Sequence, residues 1–201
     1  MNAPVQDPLP RRGPRVALRR LCAADLDSFQ SYRHDESVGR FQGWSAQTDS
    51  QALAFLEAMG KARLFVPGEW VQLGIADRET NALIGDIGVR VAECGEKAEI
   101  GFTIRAQAQG SGLGTQAVRE AIRLLFEQTG VVLVIGITDA RNTPSVRLLE
   151  RVGMRRAAME STVFRGEPCI EYVYALSRVA AEPSFEPTAT SGPVAAARVQ
   201  R

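Results

Sequence analysis

The chain has 201 residues, 45% of them apolar, with 24 basic residues against 23 acidic ones; this suits one domain with a sizeable core and gives no electrostatic case for nucleic acid or an anionic membrane. Cys22, Cys94 and Cys169 are widely separated and His34 is the single histidine, which excludes a disulfide framework and a multi-histidine centre, so no metal is expected. No apolar run approaches the ~20 residues of a membrane span, and the first 14 residues carry no apolar signal core, so a cytoplasmic protein is expected.

Residues 1–14 hold four prolines and read as a flexible lead-in. A strand follows at 15–21, then a helix at 23–33 with Leu26 and Phe29 on one side, broken at His34-Asp35-Glu36-Ser37. Thr48-Asp49-Ser50-Gln51 is a capping box that starts a second helix, with Leu53, Leu56 and Met59 at helical spacing and Gly60 at its end. Strands at 70–76 and 83–91 flank the turn Glu79-Thr80-Asn81 and make a hairpin. A strand at 98–104, a loop at 105–111 and a helix at 112–128 come next; Leu113, Ala117, Ala121, Leu124 and Leu125 form the helix's buried stripe. The β-branched run 131–138 suits a strand covered on both faces. Thr143-Pro144 places proline in the first turn of a short helix ending at Gly153, and strands at 154–162 and 170–177 close the fold. From 179 to 201 the chain is rich in Ala, Pro, Ser and Thr and reads as a disordered tail.

The stretch Gln109-Gly110-Ser111-Gly112-Leu113-Gly114-Thr115 carries the most chemistry. Glycines let the backbone curl so that successive N–H groups point at one place, and the helix that follows aims its positive end there. A diphosphate suits such a cradle. The plainer reading is a Gly-rich turn with no ligand. A nucleoside-triphosphate loop needs Gly-Lys-Ser/Thr, and no lysine lies here. Gly112-x-Gly114-x-x-Ala117 also fits a dinucleotide fingerprint, with Asp139 closing the next strand. Against that, 105–109 separates the glycines from the preceding strand, and little chain remains for further parallel strands.

Gln109-x-x-Gly112-x-Gly114 resembles the acetyl-CoA signature of the GNAT superfamily, and Asn142-Thr143-Pro144-Ser145 stands where that family has Asn-x-x-Ser. Val16-Ala17-Leu18-Arg19, the 41–44 segment and Ala98-Glu99-Ile100-Gly101-Phe102 look most like its RimJ/RimL branch, which acetylates protein N-terminal amino groups. The resemblance covers 15–178 and implies an N-acetyltransferase domain there. It implies an α/β (α+β) fold: a mixed, largely antiparallel twisted sheet of about six to seven strands flanked by about four helices.

The same resemblance implies direct acetyl transfer from acetyl-CoA to a primary amine, either a protein N-terminus or a small molecule, by a monomer or homodimer. Backbone near Phe102 and Ile104 would meet the pantetheine arm, and Gln109, Gly110, Ser111, Gly112, Leu113, Gly114 and Thr115 the pyrophosphate. Asn142 would hold pantetheine, and Ser145 is the candidate acid toward sulfur, unless its hydroxyl only satisfies first-turn N–H groups. Glu99 is the candidate base through water, unless it is a solvated strand carboxylate. The family's tyrosine on the last helix is missing between Asn142 and Gly153. A non-catalytic CoA-binding sensor is the alternative class. His34, Phe41 and Trp44 lie where relatives shape the acceptor site. Arg105, Arg119, Arg123 and Arg141 are candidates for a CoA phosphate, although Arg123 and Glu127 equally suit an i,i+4 pair.

Overall fold

The computed structural model describes residues 7–181. Of the tail expected at 179–201, residues 182–201 lie outside them, as does the start of the lead-in; Val179 to Ala181 belong to a short helix. Within them the period-two segments join one open sheet: β1 (Arg11–Arg12), β2 (Val16–Arg19), β3 (Trp70–Asp77), β4 (Leu83–Val91), β5 (Lys97–Ile104), β6 (Leu133–Asp139), β7 (Arg155–Phe164) and β8 (Glu167–Ser177). Their spatial order is β1-β2-β3-β4-β5-β6-β8-β7. Neighbours run antiparallel except β5 and β6, which are parallel.

This is the mixed, largely antiparallel sheet the resemblance implies, with one strand more than the upper expectation. The extra strand is β1, where Arg11 and Arg12 pair with Leu18 and Ala17. Two arginines make a strand here because Arg11 is held by Glu120 at 2.7 Å and Glu127 at 2.5 Å, both on the helix beneath.

Six helices are described: α1 (Leu26–Arg33), α2 (Glu36–Gly39), α3 (Asp49–Lys61), α4 (Leu113–Gln128), α5 (Thr143–Arg151) and α6 (Arg178–Ala181). The short α2 occupies the expected break after α1. Asp35 turns that break into a helix start, its carboxylate accepting from the N–H groups of Ser37 and Val38. At α3 the capping box forms as expected, with Thr48 and Gln51 bonding reciprocally.

Alternation along β5 decides what lies on each side of the sheet. Ile100 and Ile104 point into the main core with Ala117, Ala121, Leu124 and Leu125 of α4 and with Val134 and Leu149. Thr103, on the opposite face, pairs with Asp86 of β4 beneath α1. Phe29, Tyr32 and Leu56 of α1 and α3 form the second core there.

The parallel contact between β5 and β6 is short. Lys97 to Ile100 pair with Leu133 to Gly136, and the two strands then part. From Gly101 onward β5 has no partner on that side, and main-chain groups at the notch are taken by side chains instead. The Phe102 carbonyl accepts from Gln42 Nε2 at 3.2 Å, and the Ile104 carbonyl from Gln109 Nε2 at 2.8 Å. The N-terminus of α5 stands at the same notch.

Candidate functional site

The glycine loop is built to leave donors free. Gly110 and Gly112 sit at φ +73° and +83°, in the left-handed region, which a residue with a Cβ enters only under strain. Gln109 ties the loop to β5 through the Ile104 carbonyl, and the Ser111 hydroxyl donates to the Ala108 carbonyl at 2.7 Å. At α2, α3 and α5 a side chain from Asp35, Thr48 or Asn142 accepts from first-turn N–H groups. At α4 the N-cap is Gly112 and no side chain does so. The uncapped end of a 16-residue helix therefore opens on a cavity of about 420 Å³ lined by Gly110, Gly112, Gly114 and Thr115. Its N–H groups and the dipole suit an anion.

Of the residues expected to meet the cofactor, Phe102, Ile104, Gln109, Gly110, Gly112, Gly114, Thr115, Asn142 and Ser145 line this cavity. Ser111 and Leu113 do not. Ser111 is turned onto the loop's own carbonyl, and the Leu113 side chain is buried in the core. Only their main chain shares the loop.

The basic residues differ from the sequence reading. Arg119 donates to the Arg151 carbonyl at 2.6 Å. Arg141 forks onto Asp139, and these bonds hold the Asp139 carboxyl below the usual range against the opposing effect of burial. Arg123 pairs with Glu120 three residues back and not with Glu127, which is bound by Arg11. Arg105 lines neither cavity. The arginines at the cavity are Arg147 and Arg151 of α5. They stand four apart, with Pro144 and Leu148 on the same wall, so the 3.6-residue period starting from Pro144 is the signal that would have found them.

A second cavity, of about 410 Å³, opens on the opposite side of β5. Its floor is the sheet, its walls include Trp44, Trp70 and Phe55, and Glu99 lines it. One end is Arg33, whose guanidinium lies 4.6 Å from the Phe29 ring centre and 4.4 Å from that of Trp44. Behind it, fully buried Asp86 accepts from Arg33 at 2.8 Å, from the Tyr32 hydroxyl at 2.5 Å and from Gln72 Nε2. Burial and the Asp86 charge both push the Tyr32 phenol up, so it stays a donor. Trp44 is fixed by its indole N–H, which donates to the Thr103 hydroxyl at 3.3 Å, and by Arg165, whose Nη2 donates to the Gln42 and Trp44 carbonyls. His34 stands apart: it is exposed, its ring nitrogen is 3.3 Å from the Gln47 carbonyl, and it borders an outer cleft.

The two cavities meet. Phe41, Gln42, Phe102, Asn142 and Ser145 line both, at the notch where β5 leaves β6. Asn142 Oδ1 accepts from the Ser145 N–H at 3.3 Å, so the cap of α5 is the carboxamide and not the Ser145 hydroxyl. An anion cradle thus leads to an unpaired strand end, and beyond it to an aromatic-walled space containing a carboxylate.

A family model described as the acetyltransferase (GNAT) domain matches residues 15–155. The chain belongs to the GNAT acetyltransferase family. This acetyltransferase is 25% identical over 147 residues to the N-acetyltransferase p20 of Bacillus licheniformis, covering 72% of its own length and 82% of the relative's. Its fold is similar to that of a GNAT-family acetyltransferase from Bacillus anthracis, with a TM-score of 0.73 at 21% identity over 83% of this chain and 96% of the other. RimL, a ribosomal L7/L12 alpha-N-protein acetyltransferase solved with coenzyme A, gives 0.72 at 11% identity over 86% and 99% of the two chains. Among the described residues no helix of this GNAT chain is long and apolar enough to cross a membrane, and no group of three or more His, Cys, Asp and Glu side chains is gathered for a metal.

Proposed function

We propose that this GNAT chain transfers an acetyl group directly from acetyl-CoA to a primary amine. The observation that carries the reading is the uncapped N-terminus of α4, which opens into a cavity continuous at Phe102 and Ser145 with a second one. The diphosphate of coenzyme A would lie on the N–H groups of residues 110–115, with Arg147 and Arg151 beside its remaining phosphate. The pantetheine arm would run along the unpaired edge of β5 and past Asn142. A main-chain N–H near Phe102 would hold the thioester oxygen as it gains charge.

The neutral amine would attack from the second cavity. The C–N bond forms first, giving a tetrahedral intermediate with its charge on the former thioester oxygen; the C=O bond then reforms as the C–S bond breaks and coenzyme A leaves as thiolate. Glu99 would accept the amine's proton through water, and Ser145 would donate toward the departing sulfur. A thiolate leaves readily, since ordinary thiols have pKa about 8.5, so a hydroxyl can suffice where relatives carry a tyrosine.

For the acceptor we read a protein N-terminal amino group first, on the likeness of residues 16–19, 41–44 and 98–102 to the RimJ/RimL branch. A small-molecule amine is the second reading, supported by the limited volume of the second cavity, about 410 Å³. Release of free coenzyme A thiol from acetyl-CoA is the test, measured over a panel of N-terminal peptides and small amines. Turnover with any of them supports the reading. Tight acetyl-CoA binding with no turnover across the panel would favour a sensor module and reject catalysis.

A further inference from the structure

One glycine in the second cavity has no reason in the fold to be a glycine. Gly101 lies in the middle of β5, where glycine weakens a strand and is otherwise found at bulges or where something approaches closely. Its φ is not in the left-handed region, and the pairing of β4 with β5 runs through it in regular register, Gly88 opposite Gly101. A Cβ built at Gly101 meets no atom within 4 Å. Nothing among the described residues requires the space above it, although the residue lines the cavity.

The surroundings of that space are defined by the alternation of the sheet. Glu99 and Thr103 are its neighbours on the same face of β5, and Thr103 carries the indole of Trp44. Across the ladder, Gly88 leaves room for the second indole: a Cβ there would come within 3.3 Å of the Trp70 ring and 2.8 Å of Gln72 Oε1. Trp70 is 43% exposed, a large apolar surface left open at the cavity's rim. Bare main chain thus has one indole along the strand at Thr103 and another across the ladder at Gly88, and lies one residue from the Phe102 peptide at the junction of the cavities.

We infer that the acceptor carries an aromatic ring close to its amine, and that the ring lies on Gly101 between Trp44 and Trp70. The inference rests on the reading that the second cavity receives the amine. Bare main chain beneath the ring permits van der Waals contact across its face, and two indoles offer edge or offset stacking. The same chemistry belongs to an aromatic metabolite amine and to an aromatic N-terminal residue of a peptide. Gly101 is then the position that sets acceptor size.

Binding can be read without turnover, because Trp44 and Trp70 are the chain's two tryptophans and both line this cavity. The intact protein, saturated with coenzyme A, is titrated by tryptophan fluorescence with 2-phenylethylamine, hexylamine, Phe-Ala amide and Ala-Ala amide. The two aromatic probes should bind at least about tenfold more tightly than their aliphatic counterparts, and Gly101→Val should lower that affinity by about tenfold or more. A Cβ at this strand position strains no backbone and meets no atom within 4 Å, and valine suits a strand, so the melting temperature and coenzyme A affinity should hold. A preference for 2-phenylethylamine alone assigns a metabolite, and for Phe-Ala amide a polypeptide. Equal binding of aromatic and aliphatic probes overturns the inference, as does aromatic binding that survives Gly101→Val. If aromatic binding is lost in Gly101→Val while no amine is ever acetylated, the site stands and the catalytic reading fails.

Discussion

The two cavities sit back to back on one strand, yet they are made of different material. The side proposed for the coenzyme is main chain: a loop of glycines, an uncapped helix end and an unpaired strand edge. The side proposed for the acceptor is walled by side chains drawn from α1, the loop before α3, and strands β3 to β5, held by the buried cluster of Tyr32, Arg33, Gln72 and Asp86. A main-chain site tolerates change around it and fails only when its conformation or its space is taken. A side-chain site fails when any one support goes, and it can be retuned a residue at a time.

The largest effect should come from removing the support of the acceptor side. Asp86→Ala leaves the Arg33 cation buried among aromatic rings without its carboxylate, at a cost of about 3–5 kcal/mol measured by urea unfolding. A loss below ~1 kcal/mol would mean that the cluster does not hold the wall. On the coenzyme side, Gly112→Trp should weaken acetyl-CoA binding by at least about a hundredfold in calorimetric titration, the loss of two or three charge-assisted hydrogen bonds. Its stability cost should be only the strain of a side chain at φ +83°, about 1–2 kcal/mol. Unchanged acetyl-CoA affinity would remove the coenzyme reading itself.

Glu99→Gln separates the sides by chemistry. The turnover number should fall about a hundredfold with acetyl-CoA affinity intact, and much of the loss should be recovered at high pH, where the amine is already neutral. A flat pH response would assign Glu99 to binding only. Arg147→Ala should raise the KM for acetyl-CoA about tenfold with little change in kcat, as expected for one lost contact to a phosphate. Dephospho-coenzyme A should show little of that difference.

The smallest expected effect is in acid. Burial pushes the Asp25 carboxyl up, but hydrogen bonds from Arg19 and the Cys22 N–H, together with the Arg19 charge, outweigh it and hold the group below its usual 3.8. The ionised form is therefore favoured by folding. Its contribution is present above the ordinary aspartate range and fades as pH falls through the lowered value. Urea midpoints of the parent should drop more between pH 6 and pH 3 than those of Asp25→Asn. Equal drops would show that this ion pair does not link folding to pH.

The same division governs what could be read from the sequence. Gln109-x-x-Gly112-x-Gly114 and Asn142-x-x-Ser145 were legible because a main-chain cradle needs glycines at fixed spacing and a short helix needs a cap. The core strands and the long helices followed from their periods. Arg11–Arg12 was not legible as a strand, since its reason is a pair of glutamates more than a hundred residues away. Nor was α2, whose four residues depend on one Asp35 cap. The sequence points to arginines close to the loop, but the fold brings Arg147 and Arg151 to that cavity from the next helix and gives Arg141 to Asp139. Asp86 gave no local sign of its role, because a carboxylate inside an apolar strand acquires partners only when α1 packs on it.

The brief seam between β5 and β6 has a further consequence. Four residue pairs are the whole ladder joining a five-stranded leaf to a three-stranded one. A molecule laid into the cleft touches both leaves and acts as a rivet, so ligand occupancy should slow amide exchange most at the spine, Lys97 to Ile100 and Leu133 to Gly136, rather than evenly through either leaf.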